Sequence, residues 1–83
     1  MLSEVAGADM VVGVKQTRRC LRSGQAERVF LALDADPRLT EELAGECLTR
    51  GVPVIAQYTM AQLGQAAGIQ VGASALTVRR GRS

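Results

Sequence analysis

Apolar residues follow two rhythms along the chain. Short unbroken runs, Met10-Val11-Val12, Val29-Phe30-Leu31-Ala32-Leu33 and Val52-Pro53-Val54-Ile55-Ala56, alternate with segments of helical spacing. A short continuous apolar run fits a strand covered on both faces. The runs predict strands over 10–12, 28–33 and 52–56. Pro53 has no N–H to donate, so its strand needs an edge or an unpaired position there. Alternation from Ala73 to Val78 predicts a final strand.

The helical segments carry their own punctuation. Ser3 is placed to cap a short helix through Ala8, weakened by Gly7. From Lys15 to Ser23, Thr17, Cys20 and Leu21 fall on one side, Arg18, Arg19 and Arg22 point elsewhere, and Gly24 is placed to end the helix. Asp36 as N-cap and Pro37 at the first helical position open a helix to Arg50. Along it Leu39, Leu43 and Cys47, joined by Ala44 and Leu48, predict one apolar stripe, with Glu41, Glu42 and Glu46 mostly off it and Gly51 closing it. Thr59 and Gln62 have capping-box spacing and open a helix ending at Gly68. Ile69 to Gly72 reads as a loop. Alternation of helix and strand throughout predicts an α/β layered domain with helices on both faces of a small sheet. There is no linker, repeat or low-complexity segment, and residues 79–83 read as a loose basic tail.

Composition narrows the class. Eighty-three residues, 47% of them apolar, make one small folded domain rather than a disordered chain. Phe30 and Tyr58 are the only aromatic residues, so the core is aliphatic and alanine-rich. No apolar run approaches the roughly 20 residues of a membrane span, which argues against a membrane partner. No basic-then-apolar leader pattern opens the chain, and the expected location is the cytoplasm. Cys20 and Cys47 stand far apart, without CxxC spacing and without any histidine beside them. They read as ordinary reduced thiols, one or both buried, with no metal site and no cofactor.

Charge is segregated although the net is only +2. Between Gly13 and Arg28, Lys15, Arg18, Arg19, Arg22 and Arg28 face Glu27 alone, a net of +4. Between Asp34 and Glu46, five acids face Arg38, a net of −4. From Ile55 onward there is no acid. Two readings fit: a basic face opposite an acidic face, or two solvated helix surfaces.

Catalysis finds little support. There is no histidine, neither cysteine has an activating context, and Asp34 with Asp36 is better explained as a cap before a proline. Neither GxxxxGK[ST] nor GxGxxG occurs. Anion binding fits better. Gly13 opens a helix whose first N–H groups lack partners, and Lys15, Arg18, Arg19 and Arg22 surround that end with charge. Gln16 adds an amide able both to donate to and to accept from base edges. With two aromatic rings, stacking of single strands is excluded as the main mode, leaving the shape of a folded RNA. A protein-interaction module using Glu41, Glu42 and Glu46 or a sheet edge is the rival reading.

Three stretches carry a family resemblance: Gly13-Val14-Lys15-Gln16-Thr17-Arg18-Arg19 with Gly24, Leu33-Asp34-Ala35-Asp36-Pro37, and Leu63-Gly64-Gln65-Ala66-Ala67-Gly68-Ile69-Gln70-Val71-Gly72. In this order and spacing the chain resembles the L7Ae/L30e family of ribosomal proteins, closest to its small bacterial L7Ae-like members. The resemblance implies a three-layer α/β/α sandwich around a small mixed four-stranded sheet; separately, a monomer is expected. It also implies a structured RNA partner, with the ribosome one setting: the kink-turn, a sharply bent helix with tandem sheared G·A pairs. Gly13, Val14, Lys15 and Gln16 would enter the widened groove at those pairs, with Gln16 on guanine edges. Arg19 would replace a family lysine near the backbone. Ile69, Gln70, Val71 and Gly72 would pack against an extruded nucleotide. Archaeal and eukaryotic members carry Gly-x-Asn-Glu where this chain has Gly13-Val14-Lys15-Gln16. The change exchanges an acceptor-only carboxylate for an amide and adds a cation for phosphate.

Overall fold

The computed structural model describes residues 9–80. Their order is β1 (Met10–Val12), α1 (Val14–Arg22), β2 (Ala26–Ala32), α2 (Pro37–Arg50), β3 (Val54–Tyr58), α3 (Met60–Ala66) and β4 (Ala75–Arg79). The strands form one sheet in the order β1-β4-β2-β3. β4 runs antiparallel to β1 and β2, and β2 pairs parallel with β3, so the sheet is mixed. The expected helix over 3–8 lies outside the described residues.

The pleat of the sheet sorts the core. Val29, Leu31 and Ala75 face one side and bury Cys20 and Leu21 of α1 and Leu43 and Cys47 of α2. Phe30, Ala32, Leu76 and Val78 face the other and bury Leu63 of α3. The result is the expected α/β sandwich, with α1 and α2 on one face and α3 on the other. Phe30, Leu63 and Leu76 are fully buried, each contributing roughly 1.5–3 kcal/mol by removal from water. Between α1 and β4 the only buried polar side chains among the described residues, Thr17 and Thr77, hydrogen-bond each other.

Caps set the helix starts. The Asp36 carboxylate accepts from the Arg38 N–H with Pro37 in the first turn. Thr59 and Gln62 form the full reciprocal capping box on α3.

Several boundaries differ from the sequence expectation. β2 starts two residues earlier, at Ala26, because Ala26 pairs with Arg79. β3 starts after Pro53, whose carbonyl accepts from the Val29 N–H at 3.0 Å while its own nitrogen has nothing to donate. β3 lies at the edge of the sheet, one of the two positions that Pro53 calls for, but it is not buried on both faces: Val54, Ala56 and Gln57 are exposed. β4 runs from Ala75 to Arg79 rather than from Ala73 to Val78. The α2 stripe is narrower than expected. Leu43 and Cys47 are buried, but Leu48 is 83% exposed, since it lies about 100° around the helix from Cys47. Leu39, in the first turn, is also exposed. The start of the expected loose tail is anchored: the Arg79 N–H donates to the Asp9 carbonyl and the Arg80 N–H to the Gln25 carbonyl.

Candidate nucleic-acid interface

β1, β2 and β3 run in one direction, so their carboxyl ends and the start of β4 share one edge of the sheet. All three stretches of the sequence resemblance reach that edge.

The first is the turn into α1. Gly13 has φ 106°, a region that side chains with a Cβ rarely enter. That conformation turns the chain from β1 directly into the helix. The Gly13 N–H donates to the Ala75 carbonyl at 2.8 Å, and its own carbonyl accepts from Thr17 at 3.0 Å. No side chain caps α1. The N–H groups of its first turn therefore remain available beside the exposed Lys15 and Gln16.

The second is the loop over 69–72. It is clamped to α3 at both ends: Ile69 N–H donates to the Gly64 carbonyl and Ala73 N–H to the Met60 carbonyl, each at 3.0 Å. A Cβ at Gly64 would stand 2.1 Å from the Val71 carbonyl oxygen. Only glycine lets the loop lie this close. The clamp presents Val71, 70% exposed, with the half-exposed Ile69 as a small apolar shelf. The shelf connects to the first segment through the Gly13–Ala75 hydrogen bond.

The third is the turn over 33–37. Leu33 is exposed at its start. The Asp34 carboxylate accepts from the Met60 N–H at 2.8 Å, so it holds the first residue of α3. Asp34 and Asp36 are thus not a catalytic pair; each serves a different helix. The sequence spacing signals the Asp36 cap alone, because the partner of Asp34 is remote in the chain.

The arginines divide in a way the sequence did not suggest. Arg18 pairs with Glu42 across α1 and α2, and Arg22 Nε lies 3.7 Å from Glu46 Oε2. Arg50 also reaches Glu46, at 3.4 Å. The basic and acidic blocks are therefore not opposite faces; at these positions they neutralise each other along one helix–helix seam. Lys15 and Arg19 are exposed and make no ion pair among the described residues. An open depression of about 520 Å³ follows α1, lined by Lys15, Arg18, Arg19, Arg22 and Ser23. Arg22 lies at its far end, about 12 Å along the helix from Val14, and so stands apart from the sheet-edge group.

Neither thiol is activated. Burial pushes Cys20 and Cys47 above the ordinary cysteine value. Among the described residues no group of His, Cys, Asp and Glu side chains is placed to hold a metal, and no helix is long and apolar enough to cross a membrane.

The chain is similar in sequence and fold to known proteins. The profile of the ribosomal protein L7Ae/L30e/S12e/Gadd45 family matches residues 2–83. An RNA-binding protein of Geobacillus sp. strain WCH70 is 43% identical over 70 residues, covering 84% of this chain and 85% of the relative. The RNA-binding protein YbxF of Geobacillus stearothermophilus is 41% identical over 71 residues, covering 86% and 87%. The large ribosomal subunit protein eL8 of Halobacterium salinarum is 36% identical over 70 residues, covering 80% of this chain and 56% of its own length. Among solved structures, a 15.5 kD RNA binding protein of Giardia lamblia superposes with a TM-score of 0.82 at 26% identity, covering 92% of this chain and 63% of that one. The chain belongs to the L7Ae/L30e/S12e/Gadd45 family.

Proposed function

We propose that this member of the family is an RNA-binding protein that recognises kink-turns and stabilises their bent form. One observation carries the proposal. The uncapped start of α1, with Lys15 and Gln16 beside it, and the apolar shelf of Ile69 and Val71 stand on one sheet edge, tied through Gly13 and Ala75. One part suits phosphate and polar base edges; the other suits the flat face of an unstacked base. Relatives at 43% and 41% identity that are named RNA-binding proteins support the RNA part. The likeness to a large ribosomal subunit protein of Halobacterium salinarum supports ribosomal RNA as one class of target, and the same reading has the protein act as a monomer in the cytoplasm. Binding shifts the RNA toward the bent conformation because only that conformation fits both parts.

Roles divide between base and phosphate. Replacing Gln16 by Ala weakens binding by roughly 1–3 kcal/mol and blurs the preference for G·A pairs. Replacing Arg19 by Ala weakens binding to all RNAs alike and lowers the salt dependence by about one phosphate contact. Titration of both variants with a labelled kink-turn RNA tests the assignment. Unchanged affinity in both removes it.

A further inference from the structure

The depression along α1 presents four cationic side chains, but two of them are already engaged. Arg18 is held by Glu42, and Arg22 by Glu46, which Arg50 also contacts. Lys15 and Arg19, on the same depression, have no such partner among the described residues. Resting on the RNA-binding reading above, we infer that Glu42 and Glu46 are specificity determinants. They occupy Arg18 and Arg22 and keep the indiscriminate, phosphate-driven share of RNA affinity low.

The physics is a competition between acceptors. A carboxylate and an RNA phosphate offer a guanidinium similar anionic oxygens. While the carboxylate holds the arginine, a phosphate gains little by approaching, and it meets the glutamate's own charge as well. Each arginine released contributes one more phosphate contact, steepening log K against log salt by about 0.7–0.9. A plain duplex has no fixed register on this surface. It settles wherever its phosphates meet the most cations, so it gains the full benefit of released arginines. A kink-turn is fixed by Gly13 to Gln16 and by the loop over 69–72, and cannot slide to collect them. Glu42 and Glu46 therefore penalise the wrong RNA more than the right one, which is how a repulsive element creates specificity.

The test compares Glu42→Gln, Glu46→Gln and their combination with the parent protein. The probes are a labelled kink-turn RNA and a matched duplex with the G·A pairs made Watson–Crick, at two salt concentrations. Glu41→Gln is the control, since exposed Glu41 makes no ion pair among the described residues and its change removes the same charge. The double variant is expected to bind the duplex about tenfold more tightly, the kink-turn less than about threefold more tightly, and the duplex with a steeper salt slope. Equal gains on the two RNAs, equal gains from Glu41→Gln and Glu42→Gln, or no gain overturn the inference. If the parent protein already fails to prefer the kink-turn, the underlying functional reading fails instead.

Discussion

The Thr77 hydroxyl donates to the Thr17 hydroxyl at 2.7 Å in a fully buried contact between β4 and α1. It fixes the rotation of the helix that carries Lys15 and Gln16. Removing one hydroxyl leaves the other without its partner away from water, which costs about 1–3 kcal/mol. Thr17→Val and Thr77→Val should each lower stability by that amount in urea unfolding. The double variant, lacking both hydroxyls, should return to within about 1 kcal/mol of the parent.

Two glycines in helices should respond in opposite ways. A methyl at Gly64 would meet the Val71 carbonyl oxygen at 2.1 Å. Gly64→Ala should cost about 1–3 kcal/mol by overpacking. It should also weaken RNA binding, because the loop must move. At Gly45, in α2, a Cβ has nothing within 4 Å. Gly45→Ala should raise stability by about 0.5–1 kcal/mol and leave RNA binding alone. Unfolding curves beside RNA titrations separate the two.

Acid should loosen the start of α2. Hydrogen bonds from the Arg38 side chain and backbone hold the Asp36 carboxyl below its ordinary value near 3.8. Between the lowered value and the ordinary one the unfolded chain binds more protons, so stability rises with pH there. The contribution is complete above the ordinary value and is lost as pH falls through the folded one. Unfolding midpoints across that acid range should fall less steeply in Asp36→Asn than in the parent.

The thiols should behave oppositely with pH. Burial, the leading cause for both, raises Cys20 and Cys47 above the ordinary value near 9.0. The stability tied to their protonated state is complete below that value and is lost as pH rises from it through the folded values. At neutral pH a thiol reagent should modify the folded protein at least about tenfold more slowly than the urea-unfolded chain. Equal rates would contradict the buried placement.

Local signals wrote much of this fold into the sequence. The unbroken run through Phe30 marks β2, one of the two interior strands, Asp36-Pro37 marks the start of α2, and Thr59 with Gln62 marks α3. Gly13 and the loop over 69–72 were legible as separate stretches, but their meeting depends on β4 lying beside β1. Relations between remote residues were not legible. Asp34 reaches Met60 only after β2 and β3 align in parallel. Arg18 meets Glu42 only because α1 and α2 share a face of the sheet, so segregated charge in the chain became paired charge in space. Leu48 looked like core because periodicity counts apolar residues without knowing how wide a stripe the sheet can cover. The need for glycine at 64 comes from a backbone seven residues later.

The proposed recognition of RNA shape would take place at the edge formed by Gly13 to Gln16 and the loop over 69–72. Its most direct test is a titration of a kink-turn RNA labelled at both ends, read by energy transfer for bending and by anisotropy for affinity. The matched duplex with Watson–Crick pairs in place of the G·A pairs is measured alongside at two salt concentrations. The kink-turn should bind tightly and bend, whereas the duplex should bind weakly, with strong salt dependence and without bending. Equal binding to both, or bending of neither, would contradict the proposed recognition.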